Sequence, residues 1–469
     1  MSVAMCMPAQ SPIDCGILYT TTLFKSMRNR QSSLETIVKR GTRQPMTRCD
    51  LVRPASAVIA CKPAAIHSAT LLCSCRGKRL FRVQCRSFSI EGTMFSNLES
   101  LEPAAKLYLS EATYGYFAGG SETETSLREN REALDRYRLL PRVLVDVSDI
   151  DTSWTFGCHT YKHPIIIAPM AMQRMCHPEG EMAMARAATA LNTAMALSTM
   201  STTSLEDVAS LKSSMLWFQL YVLSRRDVTE GLIKDAEALG YKALVITVDA
   251  PRLGKREADD RNRFNLDPGL SLKMAERISA AAGVTYLSGE STSGSLFGSH
   301  FTSLIDSSLT WDFIPWVRTV TSLPIIVKGI LAPDDARRAV DYGADAVVIS
   351  NHGGRQLDFS PAGVDMLPHI AVAVGGRIPL IVDGSITRGT DVIKCLALGA
   401  DAVMIGRPFL WALALGGQAG VEAVLNEIHD QLELSMALLG CRQLSEITSD
   451  FLLSPAFHRY TIPSSRLSL

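Results

Sequence analysis

Neither sign of charge is in excess in this chain, whose 469 residues hold 47 Lys and Arg against 47 Asp and Glu. That excludes, for the molecule as a whole, the strongly basic field that gathers nucleic acid or an anionic membrane surface. Long apolar runs are lacking too. No stretch reaches the ~18 uninterrupted apolar residues that a membrane-crossing helix needs, so the catalytic unit is expected to be soluble. The cysteines lack a metal pattern: Cys73-x-Cys75 is half of a zinc motif without its second half, and no metal is expected.

Acidic residues are nearly missing from residues 1–90, which hold 14 Lys and Arg against 3 Asp and Glu, a net of +11, and leave 33 against 44, or −11, for the remainder. The same segment carries 7 of the 11 cysteines. Rich in Arg and Ser and without sustained periodicity, it has the composition of a transit peptide or a disordered arm, or of an upstream extension with no function. Residues 1–90 are therefore expected to be a leader and residues 91–460 the catalytic domain. The other four cysteines, Cys158, Cys176, Cys395 and Cys441, are expected to be buried as small apolar residues in a reducing compartment. The chain ends Ser465-Arg466-Leu467-Ser468-Leu469. A peroxisomal address of the Ser-Lys-Leu type would have to stand at the very end, and here Ser-Arg-Leu stands two residues too early.

What is abundant between positions 160 and 410 is short apolar runs. Eight occur, at residues 164–168, 194–198, 216–220, 243–248, 324–328, 346–350, 379–383 and 402–406, with helix-length amphipathic stretches between most of them. Short Val/Ile/Leu-rich strands separated by helices predict a parallel sheet buried on both faces, and eight such units over about 250 residues close into a (β/α)8 TIM barrel. In that fold, chemistry belongs at the C-terminal ends of the strands. Gln219 and Tyr221, Thr247 and Asp249, Lys328, Ser350 and His352, Asp383, and Gly406-Arg407 all fall there.

After the sixth run comes Ser350-Asn351-His352-Gly353-Gly354-Arg355-Gln356-Leu357-Asp358. A base and a cation three positions apart in a glycine-loosened loop suit removal of a proton from a small anion such as a 2-hydroxy acid. A His-Gly-Gly-Arg met in isolation would read as an ordinary polar loop. Its shared position with so many other polar strand ends argues otherwise.

These stretches, with Thr247-Val248-Asp249, Arg252 to Asp259, Phe218-Gln219-Leu220-Tyr221 and Gly406-Arg407-Pro408, resemble the FMN-dependent 2-hydroxy acid oxidases and dehydrogenases, typified by glycolate oxidase. The resemblance runs from about Leu101 to Ile447, which adds an N-terminal helical segment ahead of the barrel. It implies FMN as cofactor, a small 2-hydroxy acid as substrate, a 2-oxo acid as product, O2 as electron acceptor with H2O2 formed, a homotetramer, and a peroxisomal location, against which the basic leader sets a mitochondrial one. His352 is the expected base, and Asp249 the partner that fixes its tautomer. Arg355 suits a bidentate grip on the substrate carboxylate. By resemblance Arg256 is a second clamp, and Tyr116 and Tyr221 hydrogen-bond the carboxylate and hydroxyl. For the flavin, Lys328 is the cation expected near N1, Gln219, Thr247 and Ser198 the ring-edge partners, Ser350 a further contact, and Pro169-Met170-Ala171 the backbone lining. Asp383-Gly384-Ser385 and Gly406-Arg407 stand where barrels hold phosphate.

Two departures from the family pattern matter. Thr387 stands where the family has a phosphate-binding arginine, with Arg388 one residue along. Met200 stands where glycolate oxidases have tryptophan, which predicts a softer, wider pocket mouth and longer substrates. The stretch from Asp249 to Leu323, with its Gly/Ser-rich part at 289–299, is expected to cover the substrate. Alternatives are a dehydrogenase using a non-oxygen acceptor, a catalytically impaired FMN-binding relative, and a different phosphate barrel. An inosine monophosphate dehydrogenase would need a nucleophilic cysteine on an active-site loop, and no barrel cysteine directly follows a strand end. A haem-fused form would need two ligands from the leader, which has only His67.

Overall fold

The computed structural model describes residues 15–18, 69–75, 79–85 and 98–453, apart from 268, 274–275, 278–279 and 281–303. The Gly/Ser-rich stretch at 289–299 and the C-terminal Ser-Arg-Leu lie outside the described residues. The chain divides into two units, Met1–Glu91 and Gly92–Leu469. In the first, strands Cys15–Leu18, Ala69–Cys75 and Arg79–Cys85 form an antiparallel sheet in chain order, a pairing that composition did not signal.

The second unit opens with helices α1 (Leu101–Tyr108), α2 (Glu111–Ala118) and α3 (Thr125–Asp135). Ser110 caps α2, its Oγ accepting from Thr113 N at 3.1 Å. A hairpin, Trp154–Phe156 with His159–Tyr161, precedes the barrel. The barrel strands are β1 (Ile165–Ile167), β2 (Met195–Leu197), β3 (Leu216–Leu220), β4 (Leu244–Thr247), β5 (Ile325–Ile330), β6 (Ala346–Ile349), β7 (Leu380–Asp383) and β8 (Ala402–Ile405). All neighbours pair in parallel and the circuit closes, each strand falling within or beside a run the sequence marked.

Alternation along each strand divides the apolar residues between two cores. Ile166, Ala196, Trp217, Val245, Ile326, Val348, Ile381 and Met404 make one cluster, into which Trp154, Phe156 and Tyr161 of the hairpin pack. Trp217 Nε1 donates to Tyr161 Oη at 3.0 Å there, satisfying the one polar group of a fully buried indole. Ile165, Leu197, Phe218, Ile246, Val327, Ile349, Val382 and Val403 face the surrounding helices in the other cluster. One expectation fails at the hairpin: Cys158, in its turn, is exposed, whereas Cys176, Cys395 and Cys441 are buried.

The helix Arg407–Leu439, non-helical at Gly417 (φ 56°), has the length and mean hydropathy of a membrane span. Most of its apolar residues, among them Phe409, Trp411, Leu413, Val421, Leu425, Ile428 and Leu432, are instead part of the helix-facing core, while Leu434 and Leu438 are exposed.

Candidate active site

The inward alternation that fills the barrel with apolar side chains turns polar at the last step of most strands. Two residues beyond Ala196, Trp217, Val245, Ile326, Val348 and Ile381 stand Ser198, Gln219, Thr247, Lys328, Ser350 and Asp383, all buried. A packed plug thus ends in a polar floor, above which opens a cavity of about 660 Å³. Every site residue assigned from sequence lines it except Asp249 and Ser350, which bond to residues that do.

The floor is hydrogen-bonded within itself. Gln219 Nε2 donates to Thr247 Oγ1 at 3.1 Å, and Gln219 Oε1 accepts from Ser198 Oγ at 3.3 Å and Thr199 N at 3.2 Å. Lys328 Nζ lies 3.0 Å from Asp383 Oδ2 and donates to Ser350 Oγ at 2.8 Å. Burial opposes the charge on Lys328, but Asp383 and Asp249 outweigh it and hold its pKa above the ordinary lysine value. Asp383 Oδ1 is buried with no partner, an acceptor left over for a hydroxyl-bearing ligand.

His352 follows β6 in a run of three left-handed residues, with φ of 60°, 64° and 73° at His352, Gly353 and Gly354. Such a conformation is strained for histidine and has to be held by its surroundings. Ser350 Oγ accepts from His352 N at 2.9 Å, and a Cβ on Gly354 would stand 2.6 Å from Leu127 N of α3. The paired amides of Asn130 and Asn351, at 2.9 and 2.8 Å, tie α3 to the same loop. His352 Nδ1 is 2.9 Å from Asp249 Oδ1. Burial pushes the imidazole below its ordinary pKa; Asp249 pulls it up, while Lys328 and Arg256 push it down further. Burial raises the Asp249 carboxyl, yet His352 and Lys328 bring it below the usual range. Near neutrality the pair is a neutral imidazole beside a carboxylate. Nδ1–H then donates to Asp249, which leaves Nε2 as the proton acceptor.

Three guanidiniums converge nearby. Arg355 Nη1 donates to the carbonyls of Tyr116 at 2.6 Å and Gly119 at 2.8 Å, and its Cζ lies 4.9 Å from the Tyr116 ring centre. Arg256 Cζ lies 5.8 Å from the same ring, and its closest carboxylate, on Asp259, is 4.0 Å away. Arg407 donates to the carbonyls of Phe117 at 2.9 Å and Gly353 at 3.1 Å. Burial foremost, then Arg256 and Arg407, push Arg355 down to about 9. Cations crowded against one another with so little compensating charge make a site for a small anion.

At the other end of the cavity, the loop after β7 turns through left-handed Gly384 (φ 112°) and Ser385 (φ 54°), and helix Gly389–Ala397 starts after it. Backbone N–H groups in such turns and at helix starts suit a phosphate. Arg388 forms an ion pair with Glu99. Arg131, which sequence reasoning missed, reaches this loop from α3. Its Nη1 donates to Ser385 O at 3.0 Å and Thr387 Oγ1 at 3.3 Å, and its guanidinium grips buried Asp391 at 2.7 and 2.9 Å. Glu181 was missed as well. It is fully buried and accepts from Gln173 N, Thr202 N and the hydroxyls of Thr202 and Thr203, joining the loops after β1 and β2 that carry Met170 and Met200. Neither had a signal in the sequence, where each reads as a solvated charge on a helix.

Residues 105–454 match the model of a family described as FMN-dependent dehydrogenase. The chain is 48% identical over 360 residues to an L-lactate oxidase of Nostoc sp., covering 76% of this chain and 97% of that one. To a glycolate oxidase of Spinacia oleracea it is 47% identical over 353 residues, covering 75% and 94%. A solved structure of mandelate oxidase with (S)-4-hydroxymandelic acid superposes with a TM-score of 0.72 at 40% identity, covering 76% of this chain and 98% of that one.

Proposed function

Because the chain belongs to the FMN-dependent dehydrogenase family, we propose that it oxidises (S)-2-hydroxy acids to 2-oxo acids with His352 as the base. The observation that carries this reading is His352, paired with Asp249 at 2.9 Å and lining one cavity with Arg355 and Arg256. Relatives named lactate, glycolate and 2-hydroxyacid oxidase support the substrate class.

The chain's residues fit FMN. Asp383 Oδ1 is an unpaired buried acceptor for a ribityl hydroxyl, Lys328 is a buried cation beside it, and the left-handed turn at Gly384–Ser385 suits the phosphate. Pro169, Met170 and Ala171 would line the ring, with Ser198, Gln219 and Thr247 at its edge and Gly406 and Arg407 near by. Bound FMN supplies the acceptor for the two electrons of the alcohol.

The protein's own part is orientation and proton removal. Arg355 and Arg256 hold the substrate carboxylate, and the phenols of Tyr116 and Tyr221 orient the carboxylate and hydroxyl. Burial and Asp249 keep the Tyr221 phenol protonated, so it acts as a donor. Nε2 of His352 takes a proton from the substrate, and Asp249 stabilises the imidazolium that results. The overall exchange, hydroxy acid plus O2 giving oxo acid plus H2O2, balances with oxygen as the acceptor. A peroxisomal location rests on kinship with plant glycolate oxidases; the basic leader argues for a mitochondrial one, and fractionation of cells expressing the full chain separates the two. Residues 91–460 as the catalytic domain and a homotetramer complete the reading. The purified protein should be yellow, should bleach anaerobically when (S)-lactate or glycolate is added, and should form peroxide in air. A flavin that stays oxidised with every 2-hydroxy acid tried would overturn the assignment.

A further inference from the structure

The proposed chemistry depends on two loops: the one after β4 carries Asp249 and Arg256, and the one after β6 carries His352 and Arg355. Gln356, which is buried, joins them through its side chain. Its Nε2 donates to Asp249 O at 2.9 Å and to Arg252 O at 2.8 Å, and its Oε1 accepts from Gly254 N at 3.1 Å. Both amide hydrogens and the carbonyl are spent on the backbone of the opposite loop. The loops also touch backbone to backbone, since a Cβ on Gly254 would stand 2.5 Å from Arg355 O and 2.6 Å from Gln356 O. On its far side Asp249 is just as closely fitted: a Cβ on Gly329 (φ 108°), at the bulge in β5, would lie 2.5 Å from the Asp249 carboxyl carbon.

We infer that Gln356 is a positioning residue for the reaction, a three-point amide clip that fixes Asp249 and the Arg256-bearing loop relative to His352 and Arg355. The inference rests on the proposed function. It follows from where the three bonds end. Two of them land on Asp249 itself and on Arg252, four residues before Arg256, so the clip sets both the partner of the base and the approach of the second carboxylate clamp. Water could satisfy the same carbonyls but would not hold one loop at a fixed distance from the other. A buried group left unpaired would instead pull the loop towards solvent.

The test compares the flavin-loaded parent with Gln356→Met, which keeps the length of the side chain and removes all three bonds. Gly254→Ala pries the same contact apart from the other side and serves if the first variant does not fold. The groups that act on His352 are Asp249, Lys328 and Arg256. Of these Asp249 favours its protonated form, so loosening Asp249 should move the acid limb of kcat/KM to lower pH. The expected result is retained flavin, kcat/KM for the best hydroxy acid reduced at least tenfold with KM raised, and that displaced limb. Unchanged kcat/KM, or a reduced value with the limb in place, would overturn the inference, the latter because a merely structural residue would give it. An inactive parent would defeat the functional reading instead.

Discussion

Met200 is the residue on which substrate preference is expected to turn. It lines the cavity, is 2% exposed, and its N–H donates to Ser198 Oγ at 3.1 Å, so the loop presents its thioether at a fixed point while the side chain itself stays adaptable. Met200→Trp should shift preference towards glycolate and away from longer 2-hydroxy acids. An apolar pocket discriminates by roughly 1 to 3 kcal/mol per methylene, which is about 10 to 200-fold in relative kcat/KM for each carbon excluded. Chain-length series from glycolate to 2-hydroxyoctanoate on both proteins measure this. Superimposable profiles would mean that Met200 does not shape the substrate site. At this scale the sequence was informative wherever a residue type is rare at a strand end: Lys328 after Ile325-Ile326-Val327 could hardly be an ordinary solvated lysine, and it is buried. Arg131 and Glu181 were illegible because their partners, Asp391 and the loop at Thr202–Thr203, are distant in the chain or follow no motif.

Among the elements, the eight barrel strands were legible because both faces of each are buried, which leaves short apolar runs, most of them bounded by Gly, Pro or polar turn residues. The hairpin Trp154–Phe156 with His159–Tyr161 was not. Three residues per strand are too few to show a period, and the exposed turn at Cys158 breaks the apolar pattern. A second junction hidden from sequence joins the start of β1 to helix Arg407–Leu439. His163, just before β1, accepts from Ile165 N at 3.3 Å and meets Thr193 Oγ1 at 3.1 Å, and its ring centre lies 5.3 Å from that of His429. Burial first, then His429 and Lys162, push His163 down to about 3. A histidine depressed in the folded state is protonated more readily in the unfolded chain. Its contribution to stability is therefore complete above about pH 6.5 and is lost as pH falls from there towards 3. The Tm of the parent should fall across that window, and His163→Asn, which keeps an acceptor but does not titrate, should show a shallower fall. Equal slopes would remove His163 from the acid response.

For the molecule as a whole, the division of labour is set by the barrel. Apolar layers and the hairpin occupy one part of the interior, and the polar strand ends and their loops collect the proposed flavin contacts, the carboxylate clamps and the base in one cavity. Composition conveyed this only coarsely. It separated the basic residues 1–90 from the acidic remainder without indicating how either part folds. The central claim is that one neutral imidazole, held by Asp249, takes the substrate proton while the cofactor is bound by other residues. His352→Gln separates the two roles. In an anaerobic stopped-flow measurement with saturating (S)-lactate, the account predicts a variant that retains the parent's flavin spectrum and is reduced about 10² to 10⁴-fold more slowly, the usual size of a general-base contribution. Flavin reduction within about tenfold of the parent rate would contradict it.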